Sequence, residues 1–73
     1  MNIQVLRSAD GKQFEIIQVT GKAVGMRAGK VGKRGKSTTT TYPTIAKAEA
    51  AAKARVKELI ASGYAPATLA DIS

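Results

Sequence analysis

The run Gly29-Lys30-Val31-Gly32-Lys33-Arg34-Gly35-Lys36 sets a glycine at every third position and fills most of the gaps with basic side chains. Glycine opens backbone angles closed to other residues and lets the main chain approach a partner closely. Lysine and arginine bring donors and positive charge to phosphate. Such a segment suits anion binding, and no other part of the chain offers a reactive constellation. Cysteine and histidine are absent, which excludes thiol catalysis, thiolate zinc sites and every imidazole role. Ser8, Ser37, Ser62 and Ser73 therefore have no histidine to activate them. The five carboxylates, Asp10, Glu15, Glu49, Glu58 and Asp71, are scattered without ligand-like spacing. Neither a metal site nor a cofactor is expected, and no enzymatic activity.

The charge pattern points the same way. The formal charge is +7, from 12 basic and 5 acidic residues. Between Glu15 and Glu49 there is no acid, while Lys22, Arg27, Lys30, Lys33, Arg34, Lys36 and Lys47 all fall there. Elsewhere five bases balance five acids. A cationic patch concentrates polyanions around it. Nucleic acid is the commonest such partner and an anionic membrane the second; the plainer alternative is a solvated loop that keeps the protein soluble. A membrane partner is not expected, because the chain lacks a basic amphipathic helix with bulky aromatics. No apolar run approaches the roughly 18 residues of a membrane span. The first residues lack the basic-then-apolar order of a signal peptide. A soluble, cytoplasmic monomer is the expectation.

Two motif matches inside the basic run fail on context. Gly35-Lys36-Ser37 ends like a nucleotide phosphate loop, but the first glycine of that loop would stand where Lys30 is. Four threonines and a proline follow, where that motif needs a helix. Residues 29–32 and 32–35 each fit the Gly-X-X-Gly clamp of KH domains, yet that clamp joins helices and this segment lies between strand-like runs. The three aromatics offer little stacking surface. Phe14 is expected in the core, Tyr64 at the helix end, and Tyr42 at a strand-to-helix junction. Contacts to the nucleic-acid backbone should therefore outweigh base reading.

The elements that carry this segment are few. Of 73 residues, 13 are alanine, so only 19 larger apolar or tyrosine side chains remain for a core. That suits one domain of α+β class: a small antiparallel sheet of about four strands with one long helix on one face. Residues 2–7 read as a strand, Asp10-Gly11 as a turn, and residues 13–19 as a central strand with apolar side chains on both faces. A turn at 20–22 leads to a third strand over 23–28, whose alternation points Arg27 away from the core. The β-branched, polar stretch 37–42 is a strand with a wet face. Thr44 is placed to cap a helix whose apolar stripe is Ile45, Ala48, Ala52, Val56, Leu59 and Ile60. Glu49 and Lys53 are spaced to pair on its outer face. Gly63 should stop the helix and let Tyr64 pack back on Leu59. The domain is expected to span 1–64, with a tail over 65–73 whose Leu69 and Ile72 either dock or fray.

From Phe14 to Tyr64 the order of features resembles the WGR domain, a module named for its Trp-Gly-Arg motif. Phe14-Glu15-Ile16 and Thr20-Gly21-Lys22 stand in its opening positions, residues 26–36 on the motif, Thr44 through Ala48 at its helix start, and residues 60–64 at its Gly-Tyr end. The resemblance implies an antiparallel sheet crossed by one helix. It also implies nucleic-acid binding, as in poly(ADP-ribose) polymerases that sense DNA ends; bacterial relatives resemble the molybdate-regulator group. The motif itself reads Ala28-Gly29-Lys30 here. The indole that would stack on a nucleotide sugar is gone, and lysine keeps the charge without the planar fork of arginine. Charge-driven binding survives this exchange. The expected function is a non-enzymatic nucleic-acid-binding module, for DNA ahead of RNA. Lys22, Arg27, Lys30, Lys33, Arg34 and Lys36 would contact phosphates, and Gly29, Gly32 and Gly35 would shape the loop. The alternative is a protein-interaction module whose partner is acidic or adds a strand to the threonine-rich edge.

Overall fold

The β-former run from residue 13 and the alternating segment after the turn at 20–22 fold as a hairpin, and the rest of the sheet grows from it. The computed structural model describes residues 2–68 and 70. Four strands, β1 (Asn2–Arg7), β2 (Gln13–Thr20), β3 (Ala23–Lys30) and β4 (Lys36–Thr41), are followed by the helix α1 (Ile45–Ala61) and a two-residue strand β5 (Ala65–Pro66). The sheet order is β4-β3-β2-β1-β5, antiparallel throughout. The fold is the expected α+β, with one strand more than the four read from the sequence. Two residues of the tail supply it: Ala65 and Pro66 pair with Arg7 and Leu6, and the Ala67 N–H donates to the Val5 carbonyl at 2.8 Å. Leu69 and Ile72 lie outside the described residues.

Register decides which side chains share a face. Glu15 sits between Leu6 and Ala28, Ile17 between Gln4 and Met26, and Val19 beside Val24. The helix covers this face. Leu6, Ile17, Val19 and Val24 meet Ala48, Ala52 and Leu59 in one buried cluster, with Met26, Tyr42, Val56 and Tyr64 packed against it. Alanine at 48 and 52 lets the helix backbone come close, and each larger side chain buried there contributes about 1.5–3 kcal/mol.

The helix ends follow the expected chemistry. Thr44 Oγ1 accepts from the Lys47 N–H at 3.1 Å. At the other end the Tyr64 N–H donates to the Leu59 carbonyl at 2.9 Å and the Gly63 N–H to Ile60 at 3.1 Å, with Gly63 at φ +102°. This pair of bonds is the Schellman motif. The apolar stripe is narrower than expected, since Ile45 and Ile60 are 52% and 50% exposed. Ile60 is turned about 100° from the buried Leu59, onto the helix flank, and Ile45 opens the helix beyond the core. Glu49 and Lys53 do not close into an ion pair.

Candidate nucleic-acid interface

Two chain reversals meet at one end of the sheet and build the site. In the first, between β1 and β2, the Asp10 carboxylate accepts from the Ser8 hydroxyl at 2.6 Å and from the Lys12 N–H at 3.0 Å. These two bonds, the Ser8 hydroxyl first, hold the Asp10 carboxyl below the usual carboxylate range. The second reversal, residues 31–35, joins β3 to β4. Its Lys33 N–H donates to the Lys30 carbonyl at 2.9 Å, and Gly32, in the third position of this turn, has φ +88°. The Val31 N–H donates to the Lys12 carbonyl at 2.9 Å, which ties the two reversals together.

Glycine is required where this loop closes. A Cβ on Gly29 would lie 2.5 Å from the Gly35 Cα, and one on Gly35 would lie 2.5 Å from the Ala28 carbonyl oxygen. Gly35 also has φ +78°. Both positions look onto the ring of Phe14, which is only 2% exposed. Phe14 is thus buried as expected, but apart from the helix-covered cluster. It lies on the opposite face, under the loop.

The basic side chains divide into three groups. Lys30, Lys33, Arg34 and Lys36 gather at the loop end, all exposed. Lys30 pairs with Gln13 and Lys36 with Ala28, so both point to the side of the sheet that carries Glu15. Arg27 lies on the opposite, uncovered face, two residues from the loop-end pair of Phe14 and Gly29. Lys22 stands apart. It lies in the β2–β3 turn, where its carbonyl accepts from the Tyr42 N–H, about 26 Å along the strand from Lys30. Close to the loop in sequence, it is sent to the far end by the antiparallel hairpin. The topology brings in Lys12, which lies outside the acid-free segment of the sequence. Its signal was the two-residue turn Gly21-Lys22: a register that pairs Thr20 with Ala23 necessarily sets residue 12 against residue 31.

Asp10 stands at this same end, beside Lys12, whereas Glu15 and Glu58 are engaged elsewhere. Arg55 Nε and Nη2 donate to the two oxygens of Glu15 at 2.7 and 2.8 Å, and Nη1 donates to Glu58 at 3.3 Å. Glu15 is 4% exposed, and the bidentate pair compensates its burial. The same contacts, Glu15 before Glu58, raise the Arg55 pKa further. Among the described residues, none of the bases between Lys22 and Lys47 lies in an ion pair. A recess at Ala28 is lined also by Glu15, Met26, Lys36, Thr38 and Arg55. Among the described residues there is no group of three or more metal-ligating side chains, and no helix is long and apolar enough to cross a membrane.

Comparison with known proteins agrees with this fold. The family model of the WGR domain matches residues 4–71. A crystal structure of a protein from Bacteroides fragilis, a structural-genomics target, is similar with a TM-score of 0.84 and 25% sequence identity. The match covers 92% of this chain and 20% of that one, so this chain spans a fifth of that longer protein. No curated protein matches.

Proposed function

The chain belongs to the WGR domain family, and on that premise we propose that it is a non-catalytic nucleic-acid-binding module. It takes the phosphate backbone of DNA ahead of RNA on Lys30, Lys33, Arg34 and Lys36, joined by Lys12 and Arg27. One observation carries this reading: these bases stand exposed around one end of the sheet and, among the described residues, outside any ion pair, with Asp10 as the acid beside them and with Glu15 and Glu58 held by Arg55. The glycines at 29 and 35 fix the loop that presents them. Binding then follows from release of counterions condensed on the duplex. With about five phosphates neutralised, log K should fall against log salt with a slope near −4 to −5.

The test is fluorescence anisotropy with a short DNA duplex across a salt series. Replacing Lys33, Arg34 and Lys36 together by alanine should lower the slope by about 3 and leave the circular-dichroism melt unchanged. Binding that is flat in salt, or equal in the triple variant, rejects the reading.

A second reading has one observation in its favour. The edge strand β4 is exposed along all six residues and carries no proline, which suits a partner that adds a strand. Such a module would give weak gel shifts and a tight complex with one protein.

A further inference from the structure

The face of the sheet turned away from the helix has its own composition. By register it carries Ile3, Val5 and Arg7 from β1, Phe14, Ile16, Gln18 and Thr20 from β2, Gly25 and Arg27 from β3, and Ser37 and Thr39 from β4. Among the described residues its only charges are the guanidinium groups of Arg7 and Arg27, and no strand carboxylate points to it. Both arginines are exposed, and among the described residues neither lies in an ion pair. Two strand spacings and two residues separate them, which puts their Cα atoms about 12 Å apart.

Beside Arg27 the face dips. A shallow depression runs over Ile16, Gly25, Arg27, Ser37 and Thr39. Among the described residues the hydroxyls of Ser37 and Thr39 engage no protein partner. Glycine is not demanded at 25 by the fold. Its φ is not positive, and an added Cβ would meet nothing closer than 3.9 Å. The hollow is therefore a property of the surface that a side chain at 25 would fill. No exposed aromatic adjoins it, since Phe14 is buried. The face thus offers hydroxyl donors and two unpaired guanidinium groups but no stacking platform, which suits a duplex backbone rather than an unstacked single strand.

We propose that this uncovered face is a second wall of the nucleic-acid interface, across which the duplex backbone passes from the basic loop. Arg27 and Arg7 take phosphates. Ser37 and Thr39 donate to phosphate oxygens, and Gly25 leaves the room for that approach. The inference rests on the nucleic-acid reading above and extends it to residues outside the loop.

A steric variant tests it at constant charge. Gly25→Val fits a strand, adds volume to the hollow and changes no charge, so binding of a short duplex should weaken about tenfold, the loss expected for displaced charged hydrogen bonds. The salt slope should then stay nearly constant. Arg7→Ala with Arg27→Ala should lower the slope by about 2. Melting curves of each variant check that the fold is kept. If both variants bind like the parent while the Lys33, Arg34 and Lys36 triple variant loses binding, the second wall is refuted, Arg27 leaves the interface, and the reading that rests on the loop lysines and Arg34 stands. If the parent itself fails to bind duplex at low salt, both fall. Tighter binding to a single strand than to the duplex also refutes the second wall.

Discussion

Arginine is used in opposite ways at the centre of the helix-covered face and around the glycine loop. Arg55 holds Glu15 through two bonds and reaches on to Glu58, linking α1 to the central strand. Among the described residues, Arg34 at the loop and Arg27 on the open face lie in no ion pair. The difference shows how a chain with five acids keeps a region of unopposed positive charge. A buried carboxylate needs a partner, and the helix supplies one, so the middle segment need not. Packing follows the same division. The helix-covered face is closed by apolar contact, whereas the loop end is shaped by two glycines in van der Waals contact and by hydrogen bonds between turns.

This contrast can be broken most strongly from the core side. Leu59→Ala removes a side chain that is 4% exposed beneath the helix and should cost about 2–5 kcal/mol, read from urea unfolding. The salt slope of duplex binding, measured where the variant is folded, should not move. Gly35→Ala tests the other region. Its Cβ would strike the Ala28 carbonyl at a positive φ, so a loss of about 1–3 kcal/mol is expected. Here binding should weaken as well, because the loop must shift. A variant that melts early and binds normally would show the loop geometry to be irrelevant to binding. The smallest effect belongs to Asp10, a fully exposed carboxylate bonded to Ser8 and Lys12. Its pKa is lower folded than unfolded, so its contribution is present above the ordinary carboxylate pKa and lost as pH falls through the folded value. Asp10→Asn should remove that part of the acid-side decline in melting temperature and, by taking a negative charge away from Lys12, tighten neutral duplex binding slightly.

Much of the fold is legible in the chain because its signals are local. The run of β-formers Phe14, Ile16, Ile17 and Val19 marks the central strand, Thr44 caps, and Gly63 stops the helix two residues after its last helical residue. The fifth strand is silent, since Ala65 and Pro66 join the sheet through backbone pairing and neither residue type marks a strand. The Glu15–Arg55 pair is silent too, because 40 residues separate partners that only the packing of α1 brings together. The site is legible in composition and less so in placement. Basic residues close in sequence look like one cluster, but a hairpin assigns neighbours by register. That register sends Lys22 to the far end, brings Lys12 to the loop and puts Arg27 on the opposite face from Lys30 and Lys36.

The most direct measurement is backbone chemical-shift mapping of the labelled chain with a short DNA duplex at two salt concentrations. The expected perturbations fall on Lys12, on residues 27–36 and on Ser37 and Thr39, grow as salt is lowered, and spare Lys22 and Lys47. Shifts centred on the Lys22 and Lys47 end, or on the helix flank around Lys53 and Lys57, would contradict the placement of the interface at the glycine loop.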